Sequence, residues 1–211
     1  MIRRIDLRQS DAGGVCLTNV VPRAATNVAD ATKTVIPILE DIRENGAEAV
    51  ARWSLALDGI TPPSLRVPAA ELEKAAENLD PAVRAALLES IRRARIVHSD
   101  QVRGESKTEV VAGGTVTQRW IPVDRVGLYV PGGQAVYPSS VVMNVVPAQI
   151  AGVGSIAVVS PPQKDWSGWP HPVVMAACHL LGIEEVYAVG GAQAVAMLAY
   201  GVKLPIGECQ P

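Results

Sequence analysis

The stretch Arg125-Val-Gly-Leu-Tyr-Val-Pro-Gly-Gly133 decides the fold, because a short apolar strand closes on a glycine turn and a helical pattern follows. The pattern recurs twice downstream. Ser155-Ile-Ala-Val-Val-Ser160 is stopped by Pro161-Pro162, and Glu185-Val-Tyr-Ala-Val189 turns at Gly190-Gly191 into a helix from about Ala192 to Tyr200. Between the strands, one helix runs from near Ser139, a candidate N-cap, to Gly152, with Pro147 implying a kink or late start. Another runs from Pro172 to Leu181, with Gly182 as its stop. Strands alternating with helices imply a parallel sheet with right-handed crossovers, as in one half of a doubly wound fold. Ligands of such sheets sit outside the carboxyl ends of the strands, which singles out loops 131–139, 160–170 and 190–193.

From Val126 to Gln163 there is no Asp, Glu, Lys or Arg. A membrane-spanning helix needs about 20 uninterrupted apolar residues. Here Pro131, Pro138, Pro147, Gly152 and Gly154 interrupt the run, so it reads as a buried strand with a helix packed on it.

Working towards the amino terminus, Glu109 to Trp120 reads as a hairpin around Gly113-Gly114. The first hundred residues read as helical. Asp80-Pro81 supplies an N-cap and a first-turn proline, and Val83, Leu87, Leu88, Ile91 and Ala94 continue an amphipathic helix to about Val102. Pro37 to Asn45 and Ala47 to Leu57 read as two helices broken by Gly46, and Pro68 to Leu79 as another. The expected organisation is a mainly helical region over 1–104, a hairpin and linker over 105–124, a Rossmann-like region over 125–203 and a divergent tail over 204–211.

Composition fits a globular protein: 211 residues, 48% hydrophobic, 19% charged. A net charge of −2 makes no case for nucleic acid or an anionic membrane as partner. Arg92, Arg93 and Arg95 form the nearest approach to a basic patch and read as cations near a helix C-terminus. Cys16, Cys178 and Cys209 are odd in number and far apart, which suits a reducing, cytoplasmic setting. His98, His171 and His179 are scattered, and Cys178 and His179 point about 100° apart on one helix, so no metal site is expected from these residues.

Both glycine turns are built for close approach of a ligand, and a helix N-terminus offers free N–H groups to a phosphate. Neither turn is G-x-G-x-x-G, and the second strand ends without the acid that commonly binds a ribose. On these residues alone, nucleotide binding and plain turn glycines stand level. Tyr129 and Gln193, the polar side chains at the ends of the first and third strands, are as readily structural as functional.

A resemblance weighs the balance. Arg125 to Gly133, Tyr137-Pro-Ser-Ser-Val-Val-Met-Asn144, Pro147-Ala-Gln-Ile-Ala-Gly152, Ser160-Pro-Pro162, Val189-Gly-Gly-Ala-Gln-Ala-Val195 and Leu198-Ala-Tyr-Gly201 resemble histidinol dehydrogenase, as do Arg43 to Ala49 and Leu57-Asp-Gly59. The resemblance implies an α/β enzyme that oxidises L-histidinol to L-histidine with NAD, through a bound aldehyde, in histidine biosynthesis. It implies a homodimer with one zinc per site and a Glu-His pair in acid/base catalysis. Tyr129 and Gln193 match positions that contact NAD. Pro131 and Pro162 line the same cleft, and Ser139 lies on its substrate side. Family members are about twice as long, and their acid/base pair and zinc ligands correspond to no position within residues 1–211. The half-sheet is thus expected to be incomplete relative to the family, and these residues alone to be inactive. Two other readings stay open: a non-catalytic nucleotide-binding or oligomerising module, and a family member acting on another small alcohol.

Overall fold

The computed structural model describes residues 28–133, 135–204 and 207–209. The chain divides into two compact units, Met1–Ile36 and Pro37–Pro211. Of the first, only residues 28–36, the opening turns of α1 (Val28–Asp58), are described. The predicted helix start at Pro37 is therefore corrected, since Pro37 lies inside α1. The predicted break at Gly46 is present: its φ of 54° and ψ of −131° lie outside the helical region, a conformation glycine adopts without a Cβ clash.

In the second unit, α2 (Ala69–Glu77) and α3 (Pro81–Gln101) follow α1. Asp80 caps α3 as the sequence predicts, accepting from the N–H groups of Ala82 and Val83. Strands β1 (Ser106–Val111) and β2 (Gly114–Gln118) form the expected antiparallel hairpin, turning through Gly113 at φ 76°.

Then come β3 (Arg125–Tyr129), α4 (Pro138–Ile150), β4 (Ser155–Ser160), α5 (Pro172–Leu180), β5 (Val186–Ala188) and α6 (Gly191–Tyr200). The three strands form one parallel sheet in the order β3-β4-β5, with Arg125 opposite Ser155 and Ser160 opposite Ala188. A short antiparallel pair, β6 (Val202–Leu204) and β7 (Gly207–Cys209), closes the described chain.

Alternation along the strands builds two cores, because successive side chains face opposite sides of a sheet. Val130, Val158, Val186 and Ala188 pack with α2, α3, α4 and α5. Ala157, Val159, Tyr187 and Val189 pack with α6 and with Ile38, Ile42, Ala49 and Val50 of α1. The free edge of β5 is covered by residues 65–67: Val67 N–H donates to the Val186 carbonyl at 2.8 Å, and Ala188 N–H to that of Leu65 at 2.8 Å.

Two local expectations are corrected. Ser139 does not cap α4. The N-cap position is Tyr137, no side chain caps the helix, and Pro138 opens it. Proline needs no N–H partner there, so the turn starts without a capping hydroxyl. The arginines of α3 lie upstream of its last turn. Arg92 and Arg93 pair with Glu89, and Arg95 donates to Gln149 Oε1 on α4.

Candidate functional site

At the carboxyl ends of β3, β4 and β5 three loops are laced together by contacts that only small residues permit. Gly190 lies against Pro161: a Cβ on Gly190 would stand 2.8 Å from both Cβ and Cγ of that proline. Gly132 lies over Ser160, where a Cβ would come within 3.0 Å of Oγ, and its carbonyl accepts from Gln163 Nε2. Gly191 has φ 59°, and a Cβ there would meet Gln193 Oε1 at 2.5 Å. Gly190 is thus required by its approach to the Pro161 ring, and Gly191 by its positive φ and the Gln193 side chain beneath it.

Within this frame the predicted residues separate by environment. Tyr129 is 37% exposed, and its hydroxyl accepts from Gly191 N–H at 3.2 Å. That bond uses a lone pair and leaves the phenolic proton free to donate outward. Gln193 is fully buried in the first turn of α6, and its Nε2 donates to Asp58 Oδ2 at 3.3 Å. Its Oε1 has no partner. Pro131 is exposed beside buried Gly132, whereas Pro162, in the loop after β4, is buried. Ser139 is exposed in the first turn of α4, just after the loop that follows β3. The fold therefore brings Tyr129, Pro131, Pro162 and Gln193 to one end of one sheet.

Sequence reasoning missed Asp58 and Ser160. Asp58 stands at the end of α1, 135 positions before Gln193. Burial raises its carboxyl above the usual range, and the Gln193 hydrogen bond partly offsets this. Ser160 Oγ is buried without a partner. An unpaired buried polar atom costs about 1–3 kcal/mol, so such atoms at a strand end mark a ligand-facing surface better than a turn glycine does. The Leu57-Asp-Gly59 segment was the available signal, but spacing assigns it no role.

His171 and His98 are engaged elsewhere, and His179 is exposed in the last turn of α5. His171 Nδ1 accepts from Val173 N–H at 3.2 Å and caps α5, and burial holds its pKa below the ordinary value. An accepting ring nitrogen requires the neutral form, which that shift favours. His98 bonds Gln101 on the surface of α3. Cys178 is buried, its thiol pushed up to about 12, so it is an inert core group. The Cys16 prediction lies outside the described residues, as does the Cys209 side chain. Among the described residues no three His, Cys, Asp or Glu side chains cluster as a metal site, so these residues do not fit zinc. Among them, too, no helix is long and apolar enough to cross a membrane.

Among the described residues, a cavity of about 650 Å³ is lined by Asp165, Trp166 and Trp169 of the loop after β4, together with residues of α2 and α5. Another of about 740 Å³ is lined by Ala51, Pro62, Leu65 and Leu204, and a third of about 510 Å³ by Val102, Trp120 and Ile121. None of these is lined by Tyr129, Pro131, Pro162 or Gln193.

Comparison with known proteins agrees with the resemblance. The family model described as histidinol dehydrogenase matches residues 21–206. The histidinol dehydrogenase of Thermobifida fusca (strain YX) is 60% identical over 211 residues, covering 100% of this chain and 47% of that relative. That of Nocardia farcinica is 59% identical over 200 residues, covering 95% of this chain and 45% of that relative. The crystal structure of histidinol dehydrogenase from Elizabethkingia anophelis superposes with a TM-score of 0.77 at 26% identity, covering 85% of this chain and 40% of that one. The chain spans about half the length of the curated relatives it matches.

Proposed function

The chain belongs to the histidinol dehydrogenase family, and from that we propose that residues 125–203 are the NAD side of an enzyme that oxidises L-histidinol to L-histidine through histidinal. The observation that carries this reading is the gathering of Tyr129 and Gln193 at the carboxyl end of a parallel sheet, beside an α6 N-terminus whose N-cap is a glycine and whose first N–H bonds the Tyr129 hydroxyl.

That surface fits a dinucleotide. Tyr129 would donate its phenolic proton, Gln193 would offer its unpaired Oε1, and Pro131, backed by buried Pro162, would form the apolar wall against which a flat ring rests. The first-turn N–H groups of α6 suit a pyrophosphate. NAD, when bound, supplies the acceptor for hydride. The residues described here bind and orient, and none is placed to move the proton that leaves the alcohol. Ser139 is assigned to the substrate side of the same cleft. Zinc and the acid/base pair are assigned to family positions outside residues 1–211, and no step is derived through the metal. A cytoplasmic homodimer completes the reading, with the exposed run Trp120, Ile121 and Val123 available for burial against other protein.

The test uses residues 1–211 expressed by themselves with zinc and L-histidinol. The expected result is no NADH formation, together with a rise in melting temperature on adding millimolar NAD. Turnover would overturn the assignment of chemistry to other residues. Folded protein that NAD fails to stabilise would overturn the NAD side.

A further inference from the structure

We propose that Asp58 is a positioning residue for the ligand-binding amide of Gln193, an inference that rests on the NAD reading above. An ionised carboxylate only accepts hydrogen bonds, so it admits the Gln193 amide in one orientation, with Nε2 towards Asp58 and Oε1 turned away. The 3.3 Å contact has that orientation.

What Oε1 is turned towards is the Gly190–Gly191 turn. A Cβ on Gly191 would stand 2.5 Å from Oε1, so only the bare glycine backbone lies over it, and Gly191 itself is exposed. Oε1 is buried and unpartnered. Without Asp58 the hydrogen bond that distinguishes the two amide orientations is lost, and Oε1 is no longer held in one direction. With Asp58 the acceptor stays aimed at the turn, at the cost of remaining unpaired in the free chain. An orphaned acceptor held so suits a ligand N–H or O–H, such as a carboxamide, an amino group or a ribose hydroxyl of the dinucleotide.

Gly191 ties the second predicted contact into the same arrangement. Its N–H donates to the Tyr129 hydroxyl, so one glycine separates that hydroxyl on β3 from the buried Gln193 acceptor on α6. Asp58 bonds the Gln193 amide and works through it. Gly59, next to it, has φ 69° and stands close to Lys164, where a Cβ would lie 2.9 Å from Nζ. The α1 end is thereby set against the loop after β4 as well.

The test is a double-mutant cycle on NAD affinity, titrated by calorimetry in the full chain with any residues that natively flank these 211 in place. Gln193→Ala and Asp58→Asn are each expected to weaken NAD about tenfold, the scale of one polar contact in a buried site. Combining them is expected to weaken NAD no further than Gln193→Ala alone, because Asp58 acts only through that amide. Asp58→Ser, run in the same cycle, replaces Asp58→Asn if the latter fails to fold. Additive losses, or wild-type affinity in Asp58→Asn beside a weakened Gln193→Ala, would overturn the positioning role and leave the NAD site standing. Wild-type affinity in both Gln193→Ala and Tyr129→Phe would overturn the site itself, and the positioning role with it.

Discussion

The two ends of the parallel sheet treat their polar groups in opposite ways. At the amino end, Arg125 of β3 reaches across β4 to Glu185, with Nη1 to Oε2 at 3.1 Å and a closer Nη2 contact to Oε1. Ser155 accepts from the same guanidinium, and Tyr187 donates to Glu185 Oε1 at 2.7 Å. Both charged side chains are only 20% exposed. At the carboxyl end, Ser160 Oγ and Gln193 Oε1 are buried without partners. A third such oxygen, Ser54 Oγ, lies on α1 one turn before Asp58. One end of the sheet is satisfied and serves stability. The other retains unsatisfied groups of the kind a ligand completes, and gives up stability to do so.

The largest effect that would sharpen this contrast is expected at Gly190. Gly190→Ala drives a Cβ into Pro161, and overpacking of this kind costs about 3 kcal/mol. Urea denaturation should show that loss, and a neutral result would mean the loops are looser than the contacts require.

Next comes Glu185→Ala, which strands Arg125. A loss of about 2 kcal/mol is expected, below the range for a fully buried pair because both partners keep some solvent. NAD affinity should not move, since the pair lies at the opposite end of the sheet from Tyr129 and Gln193. A weakened NAD complex at unchanged stability would break the division between the two ends.

Acid titration separates the ends by sign. For Glu185, burial alone would raise the carboxyl, but bonds from Arg125 and Tyr187 and the charges of Arg125 and Arg66 bring it below the ordinary 4.5. Its contribution is therefore present above 4.5 and lost as pH falls through the lower folded-state value. Asp58 runs the other way. Its raised carboxyl favours the folded state at low pH, and that contribution fades as pH rises from 3.8 through the folded-state value. Between pH 3 and 6, Glu185→Gln should lose part of the acid-induced destabilisation, whereas Asp58→Asn should deepen the stability drop on acidification. Identical slopes in both variants and the parent would remove the distinction.

The smallest effect compares one strand with itself. Ser155→Ala removes an acceptor from Arg125 and is expected to cost about 1 kcal/mol, whereas Ser160→Ala removes an orphaned hydroxyl and is expected to be neutral or stabilising by about 1 kcal/mol. Equal losses at both ends of β4 would mean that Ser160 is satisfied in solution.

Much of this frame could be read from residue order. Strands and helices from Arg125 to Tyr200 lie where alternation and glycine stops place them, because period and turn chemistry are local properties. The capping of α3 by Asp80 and the break at Gly46 were legible for the same reason. The failures have a common cause. Ser139 looked like a cap, but Pro138 already opens the helix, and a hydroxyl one position inside the start has no orphan N–H to serve. The edge pairing of residues 65–67 with β5 joins positions 120 apart, and no pattern within either segment announces it.

For the candidate site the division falls within single residues. Order along the chain placed Tyr129 and Gln193 at strand ends, and their match to a family assigned them to a cofactor. It could not tell that Gln193 is buried, that Asp58 orients it, or that Gly191 stands between its acceptor and the Tyr129 hydroxyl. Local sequence determines where backbone elements begin and end, since φ/ψ preference and hydrophobic period act over a few residues. Which polar atoms meet, and which are left without partners, was decided only when the sheet brought α1, β3 and α6 together, because hydrogen bonds act over about 3 Å in space at any separation in sequence.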